Sequence, residues 1–237
     1  MKKEKYSLVK SLVTFFLICA CLWATQWQFQ RGVDRQKENA TIAARLDSSV
    51  IALSSVTKSV GGFEWMTVTT TGRFEPTNQI LLRNRYFEGQ YGFEVLTRFR
   101  NEDGRKFWVD RGWVKAGKDA TTAPQTTPVT DEVVQISARL RLDSSLPQGA
   151  FFALPSNKSG GLVSKLNAQS GLSSENFYLD LISSSNPNFT PKVASQLPEL
   201  SDGPHMAYAV QWLFFGGLIF YGRILIRRSE VLPVKEL

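Results

Sequence analysis

The chain has 237 residues and a formal net charge of +7, with a single histidine and two cysteines. That inventory excludes multi-histidine and Cys/His metal clusters, and it excludes Cys–His catalysis anywhere beyond residue 21. The basic excess gathers at the two ends of the chain, where it predicts contact with anionic lipid head groups and argues against a nucleic-acid partner.

At the N-terminal end, Lys2, Lys3, Lys5 and Lys10 precede an apolar run over residues 12–24. The run closes with Trp23 and Trp27, interleaved with Gln26, Gln28 and Gln30. Tryptophan at this position suits a membrane interface, and no small-x-small cleavage site precedes Gln26, so an uncleaved anchor is the expectation and a signal peptide the competing reading. Cys19 and Cys21 both fall inside the run, on different helix faces, and read as small buried apolar side chains. The remainder of the chain carries no cysteine, so disulfides cannot hold it and packing must.

Beyond Trp27 the helix is expected to continue as an amphipathic, charged segment, with Val33, Ile42 and Leu46 among Arg31, Asp34, Arg35, Lys37 and Glu38, ending near Asp47. A polar connector follows over residues 54–62. The periodicity then changes to two. Strands are predicted over residues 63–74, 79–85, 91–100, 106–114, 132–142 and 176–183, rich in β-branched and aromatic residues. Asn101-Glu102-Asp103-Gly104 marks a hairpin, because glycine accepts a positive φ. Residues 117–130 read as a loop, 144–174 as mostly irregular with one short helix, and 183–198 as a connector without periodicity. There is no internal repeat.

The last apolar stretch opens with Gly203-Pro204-His205-Met206-Ala207-Tyr208-Ala209-Val210-Gln211-Trp212 and carries no charge between Met206 and Gly222. At ~1.5 Å per residue, a helix over residues 205–226 spans roughly 30 Å, the thickness of a hydrocarbon core. Arg223, Arg227 and Arg228 close it. Basic residues therefore flank the first run before it and the second run after it, which places both termini in the cytoplasm and the middle of the chain outside. The expected division is a cytoplasmic end over 1–10, a membrane helix over 11–30, an extracytoplasmic β-rich domain over 31–203, a second membrane helix over 204–226 and a cytoplasmic tail over 227–237. The fold class is a membrane protein with two transmembrane helices flanking a β-rich α+β domain, a small antiparallel barrel or curled sheet.

Chemistry points to one place. Pro204 suits a first helical position, which puts His205 in the first turn at the mouth of a membrane helix, where the positive end of the dipole favours a neutral imidazole. His205, Tyr208 and Trp212 share one helix face at i, i+3 and i+7. No glycine-rich phosphate loop and no nucleophile–base pair stands elsewhere, so the chain reads as a binding or assembly protein and not as an enzyme.

Three blocks carry a family resemblance. The middle one runs from Gly72-Arg73-Phe74 through Leu82-Arg83-Asn84-Arg85 and Gly89-Gln90-Tyr91-Gly92-Phe93-Glu94 to Trp108-Val109-Asp110-Arg111-Gly112-Trp113-Val114. The second is His205-Met206-Ala207-Tyr208-Ala209-Val210-Gln211-Trp212, and the third is Trp27-Gln28-Phe29-Gln30-Arg31 followed by Lys37. Together they resemble the Surfeit locus protein 1 (Shy1) family of cytochrome c oxidase assembly factors. Residues 146–198 match no motif of that family, and Thr97-Arg98 and Trp108-Val109-Asp110 depart from it. The resemblance implies a plasma-membrane biogenesis factor that assists haem a insertion into oxidase subunit I at the outer face, with subunit I and other assembly factors as partners. It implies His205 as an iron ligand, with Tyr208, Trp212 and Arg31 around a transiently held haem a. Arg83, Arg85 and Arg111 are further candidates for holding partners. The alternative is an accessory structural subunit of a respiratory oxidase with no cofactor of its own.

Overall fold

The computed structural model describes residues 5–56, 59–118, 122, 124–142 and 161–231. The readings of residues 1–4, of 57–58 in the connector, of 119–121 and 123 in the loop, of 143–160 and of the tail beyond 231 lie outside the described residues. The chain divides into two units, Met1–Thr41 with Glu199–Leu237, and Ile42–Pro198.

The first unit is a pair of helices, each long and apolar enough to cross a membrane. Helix α1 runs without interruption over Ser7–Leu46, 40 residues, so it carries its charged extension in one piece and ends where the sequence indicates. Helix α3 covers His205–Val231, 27 residues. On α1, Thr14, Ile18, Cys21, Thr25, Gln28, Gly32 and Asn39 are among the buried or half-buried positions. Thr14 to Gly32 recur in steps of three and four, and Asn39 follows seven residues later, the spacing of a coiled-coil seam. The seam is small and polar because in lipid the association of helices comes from close backbone approach and interhelical hydrogen bonds. On α3 the matching positions are Ala209 and Gly216, both buried. A Cβ on Gly216 would stand 3.4 Å from Cys21 Cβ. Cys21 is thus the buried small side chain expected, and Cys19 is exposed. At the basic end, Arg223 Nη2 donates to Ser11 Oγ at 3.0 Å, and Lys10 pairs with Glu230.

The second unit is a closed five-stranded barrel. Its strands are β2 (Thr67–Phe87), β3 (Gln90–Asn101), β4 (Lys106–Lys115), β5 (Val134–Leu142) and β6 (Phe177–Ser184). They pair in the order β2-β3-β4-β6-β5, and β5 returns to β2, so the barrel leaves no open edge among these five. A two-residue strand β1 (Ile51–Ala52) lies parallel to β2. The helix α2 (Leu162–Ser170) is the short helix anticipated in the irregular region.

The strand limits correct the sequence reading in three places. The two strands expected over 63–74 and 79–85 are one strand of 21 residues. Its ladder with β3 skips between Glu75 and Gln79, because Pro76 has no N–H to give and the extra residues bulge outward. Thr67–Gly72 of β2 pair with β5 and Gly72–Phe87 with β3, so the strand changes partner at Gly72 and this shared strand closes the barrel. Phe63 belongs to a 3₁₀ turn, Val60–Phe63, and not to a strand. The supposed connector after β6 contains a turn at Pro187–Phe189, and Phe189 is buried in the barrel core.

The interior is filled from every strand: Phe74, Phe99, Val109, Ile136 and Leu179 all lie in one cluster. Phe107 stacks on Phe99 at 5.6 Å and on Phe177 at 5.8 Å. A second cluster on the outer wall joins Leu82, Leu96, Trp108 and Tyr178 to Leu162, Val163 and Leu166 of α2. Trp108 Nε1 donates to Asn167 Oδ1 at 3.1 Å, satisfying the one polar atom of a fully buried indole. The hairpin at Asn101 forms as expected, with Gly104 at φ +77°.

Candidate functional site

Gly203 has φ +67°, and this left-handed turn brings the chain into α3. Tyr208 N–H donates to the Pro204 carbonyl at 3.0 Å, so Pro204 is the cap and His205 the first helical residue, one position later than the sequence reading placed the start. His205 is half-buried. Its Nδ1 lies 2.9 Å from Gln28 Oε1 on α1. With the amide oxygen facing it, Nδ1 donates, and the lone pair resides on Nε2. A Cβ at position 203 would sit 3.8 Å from that Nε2, so the absence of a side chain there keeps one side of the ring open.

The segment before the helix is tied to α1 by three further bonds. Asp202 accepts from Gln36 Nε2 at 3.1 Å and from Asn39 Nδ2 at 3.2 Å, while Arg35 Nε donates to the Ser201 carbonyl at 3.3 Å. Close approach is possible because residue 32 is glycine. A Cβ there would meet Met206 Cε at 3.0 Å and His205 Cβ at 3.4 Å. Tyr208 and Trp212 are 46% and 38% exposed, on the outward part of α3, and the Trp212 ring meets Phe215 edge-on at 5.8 Å. Arg31 is exposed on α1 beside Gly32. Among the described residues no three His, Cys, Asp or Glu side chains group as a metal cage.

The sequence reading singled out His205 but not the partners that orient it. Gln28, Gly32, Asn39 and Asp202 were missed as site residues, although the three-four spacing of small and polar residues along α1 carries the signal.

The three candidate arginines, Arg83, Arg85 and Arg111, do not converge. Arg83 is exposed. Arg85 Nε is 2.8 Å from Glu94 Oε2. Arg111 projects into the barrel, where Nη1 donates to Gln79 Oε1 at 3.2 Å and Nη2 to the Thr127 carbonyl at 2.7 Å. The Asp110-Arg111-Gly112-Trp113 run has a geometric purpose. Gly112 (φ +85°) forms a bulge against β3, its N–H donates to Asp110 Oδ1 at 2.8 Å, and a Cβ there would stand 2.2 Å from the Val193 carbonyl. Strand alternation carries Arg111 inward with Phe107 and Val109, while Asp110 lies with Trp108 on the outer wall, and the bulge follows at Gly112.

That wall carries three carboxyls, Asp110 and Asp180 buried and Glu94 half-buried. Burial pushes all three above the ordinary carboxylate range, Asp110 furthest, because Glu94 and Asp180 add repulsion to its desolvation. Asp180 is held by Arg141 at 2.8 Å. The Arg141 guanidinium in turn lies 3.7 Å from the centre of the Trp65 ring.

Two helices fit to cross a bilayer, one closed barrel between them in sequence, and an oriented histidine at the start of the second helix define a membrane-anchored barrel protein. Residues 15–217 match the model of the SURF1 family, and the chain belongs to that family. Its members are known in general as cytochrome oxidase assembly factors. Proteins described as uncharacterized SURF1-like proteins, from Mycobacterium bovis and from two strains of Mycobacterium tuberculosis, are 29% identical to it over 237 aligned residues. The alignment covers 92% of this chain and 84% of each relative.

Proposed function

We propose that this protein assists cytochrome c oxidase biogenesis by holding haem a as cargo at the outer face of the membrane, on its way into subunit I. The observation that carries the reading is the contact between Gln28 Oε1 and His205 Nδ1. An imidazole whose Nδ1–H is engaged by an acceptor presents Nε2 as a fixed, basic ligand, the arrangement found around metal-bound histidines generally. These residues would hold a haem with His205 as its protein ligand, and the macrocycle would supply the remaining iron ligands. Tyr208 and Trp212 offer an aromatic face beside it, and Arg31 a cation for a propionate. Basic residues before α1 and at the end of α3 support an orientation with both termini in the cytoplasm and the barrel outside. Subunit I and other assembly factors are the partners in this reading, and neither a catalytic step nor a nucleic acid has a part in it.

The test is the visible spectrum of the full chain purified from cells that make haem a, beside the His205→Ala variant. The parent is expected to carry haem a and the variant at least about tenfold less, as loss of the one protein ligand requires. Equal haem in both removes His205 from the function. A haem-free chain that co-purifies stoichiometrically with mature oxidase supports the accessory-subunit role instead.

A further inference from the structure

We propose that the mouth of the barrel is a binding site for a small amphipathic anion, an oxyanion head group (carboxylate or phosphate monoester) on an apolar body. The site is separate from His205 and does not depend on the haem reading. A cavity of about 630 Å³ opens there, within the size range of small-molecule sites. Arg111, Lys115, Lys118 and Lys192 line it together with apolar Val95 and Phe189, and among the described residues no carboxylate lines it.

Arg111 is the centre of the argument. Its side chain is buried, with 7% of the residue exposed. Every partner it has is neutral: the Gln79 amide, the Thr127 carbonyl and the face of Phe74 at 5.6 Å. Its Nε is buried with no hydrogen-bond partner. Burial alone lowers its pKa to about 10, with no carboxylate to offset it. The other two buried arginines of the barrel are treated differently. Arg98 has Glu75 at 3.5 Å and Arg141 has Asp180 at 2.8 Å. A buried cation without a counter-ion is costly, and a fold that neutralises its structural arginines has left one open where a cavity meets it. An incoming oxyanion supplies the missing charge and an acceptor for the unsatisfied N–H. Val95 and Phe189 take the apolar body, and the rim lysines raise the local concentration of anions.

The experiment is calorimetric titration of the full chain, in nanodiscs of zwitterionic lipid, with hexanoate, hexyl phosphate, hexanol and hexaglutamate. One of the two anions is expected to bind saturably, one per chain, about tenfold or more tightly than hexanol, and the tighter one identifies the head group. Arg111→Gln is expected to weaken that anion about tenfold and leave hexanol unchanged. The rim pair Lys115→Gln/Lys192→Gln, on exposed positions, is expected to weaken it about threefold with an unaltered melting temperature. Absence of saturable anion binding overturns the proposal. So does equal binding of hexanol, or parent-like affinity in a folded Arg111→Gln chain. If Arg111→Gln does not fold, parent-like affinity in the rim pair overturns it. Tighter binding of hexaglutamate than of either anion overturns the small-molecule site in favour of an acidic peptide.

Discussion

The imidazole of His205 is a ligand only if its ring is held and its tautomer fixed, and one amide does both. Gln28 Oε1 at 2.9 Å engages Nδ1, and the ring is left with Nε2 as its acceptor. Replacing Gln28 by leucine keeps the bulk and removes the acceptor. In the haem reading, Gln28→Leu lowers haem a affinity about tenfold or more with His205 intact, the usual penalty for losing the outer hydrogen bond of a ligating histidine. Haem titration followed by absorbance checks it, and parent-like affinity separates Gln28 from the function. The measurement differs from the His205→Ala test because the iron ligand itself remains.

At the scale of the element, α1 and α3 meet through residues chosen for smallness and hydrogen bonding and not for greasiness. In lipid, apolar side chains gain nothing by leaving one another's company, so packing distance decides the association. Gly32 marks the tightest point, opposite Met206. Gly32→Ala is expected to be tolerated, because the atoms it meets are the end of a flexible methionine. Gly32→Leu is expected to destabilise the helix pair by roughly 1–3 kcal/mol, the usual cost of overpacking. The double variant Gly32→Leu/Met206→Ala recovers part of that loss. Thermal melting of the full chain in detergent reads all three, and a Gly32→Leu chain as stable as the parent contradicts the close approach.

At the scale of the whole molecule, the barrel closes on itself and needs neither disulfides nor an exposed edge. Its weak point is the outer wall, where buried Asp110 and Asp180 repel each other and half-buried Glu94. For Asp110 the carboxyl pKa is raised on folding, so the native state favours its neutral form. The stabilisation from that protonated form is complete below the ordinary carboxylate range and is lost as pH rises through the raised value. Asp110→Asn keeps the oxygen that accepts from Gly112 N–H and removes the charge. The variant is expected to melt about 2–4 °C above the parent at neutral pH, corresponding to ~1 kcal/mol, with the gap closing on acidification toward pH 4. A gap that stays constant with pH shows that Asp110 carries no excess charge penalty.

The sequence alone determined the periodic features. A charge-free apolar run can only be a long buried or membrane-spanning helix, and period-two stretches bounded by glycine turns can only be strands, so both helices, most strand limits, the Asn101 hairpin and the place of His205 were legible. What it could not determine was anything that joins residues distant along the chain. The bulge at Pro76 that fuses two expected strands, the return of β5 onto β2, and Phe189 as a plug of the core all depend on closure of the sheet. Gln28 lies 177 positions before the histidine it orients, and only the docking of α3 on Gly32 brings the two into hydrogen-bond range. Arg111 reads in sequence as one of three arginines that are candidates for holding a partner, alongside Arg83 and Arg85. Alternation places it inside the barrel, but its neutral partners Gln79 and Thr127 lie 32 and 16 positions away, and only closure of the sheet brings them to it.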